Sequence, residues 1–361
     1  VTGQNIEVSN NTLSGFGDAL GMSWQTSIAN KSINIHHNQV LWTGDDGVEF
    51  DFSLRNVSAH HNLLANLANG LSFQPVWGGP VYAHHNMVVN AGRGPLKIKP
   101  EQDSPNGMLI YHNTFIRSDS DITYGGDYAW VNDSGYIRQL DIRNNLFVNS
   151  GNGATVLRNS SRHSLTQMDY NGWTTDGKFE FNLAAYAWGV NAASFNEWKS
   201  SPLGNHDVLI DNDTLFANYD AQLDELRFSD IRSLEGIDLR LHGDSAANGV
   251  GVIIPGISVG TTTNIGALEP GQTMPLTGSN LAQTTFSGLY AAPDYVQMEI
   301  NTSRIFFPLG NDVTPEDQDI QTRIVGTASS ALGSLQLLSD SSMRFTPVTD
   351  AMGSAEFKYE L

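Results

Sequence analysis

The feature that most constrains this chain is an asparagine that returns along its first 150 residues, led each time by the same alternation of apolar and polar side chains. The clearest copy is Ser32-Ile-Asn-Ile-His-His-Asn38. Six segments align on Asn11, Asn38, Asn62, Asn86, Asn113 and Asn145, spaced by 27, 24, 24, 27 and 32 residues. A period in this range is the mark of a solenoid. Five and three positions before each asparagine stand Ile6 and Val8, Ile33 and Ile35, Val57 and Ala59, Val81 and Ala83, Met108 and Ile110, Leu140 and Ile142, all apolar. Two positions after come Leu13, Val40, Leu64, Val88, Phe115 and Phe147. Each unit therefore predicts a short strand, a polar turn at the asparagine and a second strand.

A unit this short cannot bury its own apolar face. Stacked coils can, and they pair their backbones at about 4.8 Å per coil. The predicted fold is all-β, a parallel β-helix in which the recurring asparagine bonds to the next coil and satisfies turn backbone groups.

This spacing, the asparagine ladder and the His-Asn turns resemble the right-handed parallel β-helix proteins of the pectate-lyase-like superfamily, over roughly residues 1–275. Asp169-Tyr-Asn-Gly-Trp173 and Phe195-Asn-Glu-Trp198 resemble its less regular late coils, the second as a short helix. Leu239-Arg-Leu-His-Gly-Asp-Ser245, Ile253-Ile-Pro255 and Asn264-Ile-Gly-Ala-Leu-Glu269 are similar to the way secreted bacterial members finish. From Gly271 the composition turns to Gly, Thr, Pro and Ser, which reads as a linker over 276–284. Residues 285–361, with Pro308-Leu-Gly-Asn-Asp312 and Phe345-Thr-Pro347, resemble a bacterial cadherin-like β-sandwich. There Asp312, Glu316, Asp317 and Asp319 predict oxygen ligands for Ca²⁺.

Acidic residues outnumber basic ones 38 to 19, for a formal charge of −19, which repels nucleic acid and anionic membrane and favours cations. There is no cysteine, so neither a disulfide framework nor a thiolate zinc site is available. No run approaches the roughly 20 apolar residues of a membrane span. The chain opens at Val1 already inside a repeat, which reads as a mature or truncated fragment of a secreted or cell-surface protein.

A solenoid separates scaffold from site, because a structural position recurs in every coil and a catalytic group is needed once. His37, His61, His85 and His112, with His36, His60 and His84 beside them, recur and read as stacked turn imidazoles in preference to a metal row. The positions seven or eight after the ladder asparagine differ from coil to coil: Asp18, Asp46, Asn69 and Arg93. In Gly44-Asp-Asp-Gly-Val-Glu-Phe-Asp51, Val48 and Phe50 point inward, so Glu49 points outward beside Asp45 and Asp46. Such a cluster suits Ca²⁺ or the acid and base of glycoside cleavage, and crowding raises one pKa; an acidic turn open to water has the same composition. In Gly94-Pro-Leu-Lys-Ile-Lys99, Lys97 and Lys99 share the outer face, about 10 Å from the acids along the axis at two coils' separation.

The order Asp18, Asp45-Asp46, Asn69-Gly-Leu-Ser-Phe73, Lys97-Ile-Lys99 resembles the layout of polygalacturonase-like glycoside hydrolases. The resemblance implies Asp46 or Asp18 as general acid, Asp45 as a base acting through water, and Lys97 with Lys99 as a clamp on substrate. Two departures stand out: Asn69 where that family has histidine, and Lys97 where it has arginine. A polysaccharide lyase lacks a diagnostic base here. Trp77 in Pro75-Val-Trp-Gly-Gly79, and Tyr128 and Trp130 in the insertion Asp121–Trp130, are candidates to stack on sugars or to cover the core edge.

Two functions remain open on the sequence. One is an extracellular bacterial β-helix that binds and cleaves a polysaccharide on the outer face of coils two to four. The other is a non-catalytic adhesin or filament subunit, a rigid rod that self-associates or meets cell-surface partners.

Overall fold

The computed structural model describes the chain except residues 24–29, 101–106, 118–130, 133–134, 150–154, 184–188, 219–237, 279–293, 295, 297, 299, 311–320, 327–328 and 354. It divides into two compact units, Val1–Leu281 and Ala282–Leu361.

The first unit is a parallel β-solenoid. In each coil one strand leads into the ladder asparagine and another leaves it: β1 (Gln4–Ser9) and β2 (Thr12–Phe16), β3 (Asn30–His36) and β4 (Gln39–Glu49), β5 (Ser53–His60) and β6 (Leu63–Phe73). Then come β7 (Val81–His84) and β8 (Met87–Ile98), β9 (Met108–Tyr111) and β10 (Thr114–Arg117). Beyond the short β11 (Val131–Asn132), β12 (Tyr136–Arg143) pairs its coil with β13 (Leu146–Asn149), and β14 (Thr155–Asp169) with β15 (Gly172–Trp173). The leading strands stack in the order β1-β3-β5-β7-β9-β12-β14, and the leaving strands in the order β2-β4-β6-β8-β10-β13-β15.

The register places every apolar position of the repeat over its counterpart. Ile6, Ile33, Val57, Val81, Met108 and Leu140 form one inward column, and Val8, Ile35, Ala59, Ala83, Ile110 and Ile142 another. A third runs from Leu13 through Val40, Leu64, Val88 and Phe115 to Phe147. Stacked rings, such as Phe50 on Phe73 at 4.6 Å, fill the space between sheets.

The ladder explains why asparagine is required. Asn62 Oδ1 accepts from the Asn38 backbone N–H at 2.9 Å and from Asn38 Nδ2 at 3.0 Å, while Asn62 Nδ2 donates to Ile35 O at 3.0 Å and to Asn86 Oδ1 at 2.9 Å. An amide alone offers both donor and acceptor at this buried point. The ladder runs on through Asn145 and Asn171 to Asp207, whose Oδ1 accepts from the Asn171 N–H at 2.7 Å and whose Oδ2 accepts from Trp173 and Trp198. A residue whose two oxygens both accept ends the series.

The residue before each ladder asparagine is left-handed: φ is 57° at Asn10, 54° at His37, His61 and His85, 49° at His112, 59° at Asn144 and 58° at Tyr170. Asn and His are among the side chains that tolerate this region. The imidazoles stack as the repeat predicts, with His37, His61, His85 and His112 at 5.3, 4.9 and 4.9 Å between ring centroids. Within a coil the two Nδ1 atoms meet, at 2.8 Å for His36 and His37, so one donates and the other accepts. Burial lowers His37 to about 4 and His112 to about 3, and pushes His60, His61 and His84 well below the usual imidazole range.

Strand β16 (Lys178–Leu183) closes the first sheet in parallel, β17 (Val190–Ala192) adds to it antiparallel, and the helix α1 (Phe195–Lys199) starts at the Ser194 cap, where the sequence expects a short helix. After β18 (Val208–Leu209) the chain turns back over the outer face of the second sheet. Ile210, Leu215, Phe216, Leu239, Ile265 and Ala267 there cover Leu63, Ala65, Met87, Val89, Ile116 and Leu146, which buries the outward side of β6 at Leu63 and Ala65.

In the second unit Arg304–Phe306, Met343–Pro347, Gly333–Leu337 and Ser329–Ser330 form an antiparallel sheet, and Arg323–Val325 pairs with Lys358–Glu360. Among the described residues no helix is long and apolar enough to cross a membrane.

Candidate functional site

Where β2, β4, β6 and β8 leave their common turn, four tetrads come into register: Asp18-Ala-Leu-Gly21, Asp46-Gly-Val-Glu49, Asn69-Gly-Leu-Ser72 and Gly94-Pro-Leu-Lys97. The third residue of each, Leu20, Val48, Leu71 and Leu96, belongs to the core. The second also faces inward in coils two and three. A side chain at Gly47 would meet Gly70 O at 2.9 Å and the Leu64 and Leu67 side chains, and one at Gly70 would meet Pro95 O at 2.3 Å. Only glycine fits there.

The ladder slips at these points, between Thr43 and Asp46 and between Leu67 and Asn69. Two consecutive inward residues restore the first and fourth positions to the same outer face. Two outward columns result, Asp18, Asp46, Asn69 and Gly94 beside Gly21, Glu49, Ser72 and Lys97.

Lys97 reaches back along the axis. Its Nζ lies 2.6 Å from Asp46 Oδ2. The 10 Å expected from coil spacing is spanned by the lysine side chain itself, so the base and the acids form one cluster. Burial opposes the lysine charge, yet the Asp46, Asp45 and Asp51 carboxylates outweigh it and raise its pKa. Asp46 is 1% exposed; burial raises its pKa, Lys97 pulls it back, and its Oδ1 has no hydrogen-bond partner.

Around this pair, Asp18 Oδ1 accepts from the Asp46 N–H at 3.1 Å, and Asp45 Oδ1 accepts from Asn69 Nδ2 at 2.8 Å, with Arg93 at 3.4 Å. Asn69, which departs from the resembled pattern, thus positions Asp45. Glu49 lies over Gly21, where any side chain would strike its Oε2. Burial and the neighbouring Asp51, Asp18 and Asp46 raise the Glu49 carboxyl to about 8. Asp51 accepts from Ser72 Oγ at 3.0 Å and from the Gln74 N–H at 2.6 Å, and burial raises it to about 7.

Of the residues singled out from sequence, Asp18, Asp45, Asp46, Glu49, Arg93 and Lys97 are brought together. Lys99 is half-buried one step beyond Lys97 and has a partner. Trp77 is half-buried with its ring 5.2 Å from Phe52, an edge-covering contact. Tyr128, Trp130, Asp312, Glu316, Asp317 and Asp319 lie outside the described residues.

Two further residues stand near the cluster in the chain, Asp51 two residues after Glu49 and Trp42 three residues before Asp45. Asp51 belongs to the acidic run but was not distinguished by spacing. Trp42 is 46% exposed and left-handed at φ 61°, in the slot that Gly15, Asn66 and Asn90 occupy in neighbouring coils. Comparing that slot between coils is the signal that finds it.

One carboxylate oxygen each from Asp18, Asp45 and Asp46 lies within 4.8 Å of the others, an all-oxygen set of the kind Ca²⁺ takes, with the Lys97 ammonium already on Asp46. The other sets, His61 with His84 and His85, and His85 with His112 and Glu269, suit a metal less well. The His85 and His112 rings are stacked at 8°, so their lone pairs run side by side and do not converge. Glu269 Oε1 is 3.7 Å from His85 Nε2 and 3.6 Å from His112 Nε2, fixing the late segment against the turn.

No family model, no curated protein and no solved structure matches the chain.

Proposed function

We propose that the outer face of the first four coils binds a polysaccharide and hydrolyses a glycosidic bond, as a secreted or cell-surface protein akin to the pectate-lyase-like superfamily. The observation that carries this reading is the pair of outward columns: a carboxyl group, Glu49, set among aspartates on the outer side of tetrads whose third residues, Leu20, Val48, Leu71 and Leu96, belong to the core.

Glycoside hydrolysis needs a protonated acid at the leaving oxygen and an ionised carboxylate on the other side of the reacting carbon. Glu49, held protonated near neutral pH, supplies the first. Asp45, half-exposed and held by Asn69 and Arg93, supplies the second. The proton passes from Glu49 to the leaving oxygen as the bond from the anomeric carbon breaks. Water adds its hydroxyl to that carbon and yields its proton to Asp45.

One oxygen each of Asp18, Asp45 and Asp46 lies within 4.8 Å of the others, and Asp46 is already paired with Lys97, so we assign the acid to Glu49, whose carboxyl burial and neighbouring acids keep protonated, in preference to Asp46 or Asp18. Asp46 and Lys97 hold the geometry.

The test is release of reducing ends from a panel of polysaccharides by the full chain. Release from at least one polymer supports the reading. Binding without release from any would favour the rod-like adhesin.

A further inference from the structure

A polymer of uronic acids or sulfated sugars carries a fixed negative charge on each unit, so a site for it holds cations whose charge is available to the ligand. Among the described residues of this face each cation has a partner within the protein. Lys97 is 2.6 Å from Asp46, with its side chain 10% exposed. Arg93 reaches Asp45 at 3.4 Å, and Lys99 has a partner of its own. Against these three stand five carboxyl groups, Asp18, Asp45, Asp46, Glu49 and Asp51. The face is therefore balanced when Glu49 and Asp51 are protonated and negative when they are not, and the chain's charge of −19 adds to the same sign at longer range.

A second observation concerns shape. The Trp42 indole stands in the open three residues before Asp45, and a side chain at Gly15 in the preceding coil would meet nothing within 4 Å. The slot next to Trp42 in the preceding coil is therefore open at its Cβ position. Asn66 and Asn90 fill the equivalent slots of the next coils and bond to each other at 2.6 Å. Scaffold in this slot is asparagine or glycine; tryptophan adds an apolar plane. The apolar face of a sugar ring fits such a plane, and its hydroxyls donate to carboxylates such as Asp18 and Asp45.

Resting on the polysaccharide reading of this face, we infer that its ligand is a neutral polysaccharide, built of uncharged sugar units, one of which stacks on the Trp42 indole. Sugar units bearing carboxylate or sulfate would meet the aspartates without a free cation to offset them.

Native affinity electrophoresis of the full chain tests this in gels containing neutral glucan, galactan, mannan or xylan, acidic polygalacturonate or alginate, or cationic chitosan. The expected result is retardation by at least one neutral polymer and none by the acidic ones. Trp42→Asn, which installs the residue of the neighbouring coils, should weaken that retardation at least tenfold with an unchanged melting temperature. Retardation by an acidic or cationic polymer without any by a neutral one overturns this inference and leaves the polysaccharide reading in place. Undiminished retardation of Trp42→Asn overturns the stacking role. Retardation by none of the polymers overturns both the inference and the reading beneath it.

Discussion

Lys97 and Asp46 stand two coils apart in the solenoid, yet the lysine Nζ lies 2.6 Å from the aspartate Oδ2, and both side chains are largely removed from water. The long lysine stem follows the solenoid axis across Ser72, so one ion pair staples β4 to β8 over the strand between them.

Breaking this pair from one side strands a buried charge. Lys97→Met is expected to cost about 3–5 kcal/mol in urea unfolding of the first unit. In an Asp46→Asn background the same change should cost much less, because no carboxylate is left unpaired. Equal costs in the two backgrounds would show that the pair is not coupled.

The ladder predicts a gradient of sensitivity along the coils. Asn86 is fully buried and bonds to Asn62, Asn113 and Ala59, so Asn86→Ala leaves several buried groups unsatisfied and should cost about 3 kcal/mol or more. Asn11 is exposed, and among the described residues its side chain bonds to Asn38 and locally to Ser9, so Asn11→Ala should cost under about 1 kcal/mol. Chemical denaturation of the two variants makes the comparison, and similar losses would contradict it.

Stability should fall on both sides of a mildly acidic optimum. Glu49 and Asp51 have folded values raised to about 8 and about 7, and Asp207 is likewise raised to about 7. Their contribution is complete below the ordinary carboxyl range near pH 4 and is lost as pH rises through the folded values. The histidines act in the opposite sense. With His37 lowered to about 4 and His112 to about 3, their contribution is complete above about pH 6.5 and lost as pH falls through the folded values. The melting temperature should peak near about pH 5–6. Glu49→Gln combined with Asp51→Asn should make the alkaline side shallower, leaving the part that Asp207 carries, and leave the acid side in place; a melting temperature that climbs steadily from pH 6 to 9 would contradict this.

The scaffold was legible because it repeats. Measuring from Asn38 and its counterparts assigned each inward column of the first six coils, and the register pairs Ile33 with Val57 and Val40 with Leu64 as the alignment requires. The site was legible in part, because its residues occur once. Asp18, Asp46, Asn69 and Glu49 stand out against the repeat, but the reach of Lys97 depends on a side-chain path that coil spacing does not contain. The consecutive inward pairs Gly47-Val48 and Gly70-Leu71 break strict alternation, and their necessity is visible only in the contacts a side chain there would make. The cover that Ile210, Phe216 and Ile265 lay over the second sheet has no counterpart in any other coil, so nothing periodic announces it.

The most direct measurement is cleavage against binding for Glu49→Gln, on whichever polysaccharide the wild-type chain degrades. The amide keeps the shape over Gly21 but has no acid proton to give. Reducing-end release should drop at least about 10³-fold while affinity for the polymer stays within a few-fold of wild type. Release by Glu49→Gln at the wild-type rate would contradict the account, for it would remove from the chemistry the carboxyl of this face whose pKa is raised furthest, to about 8.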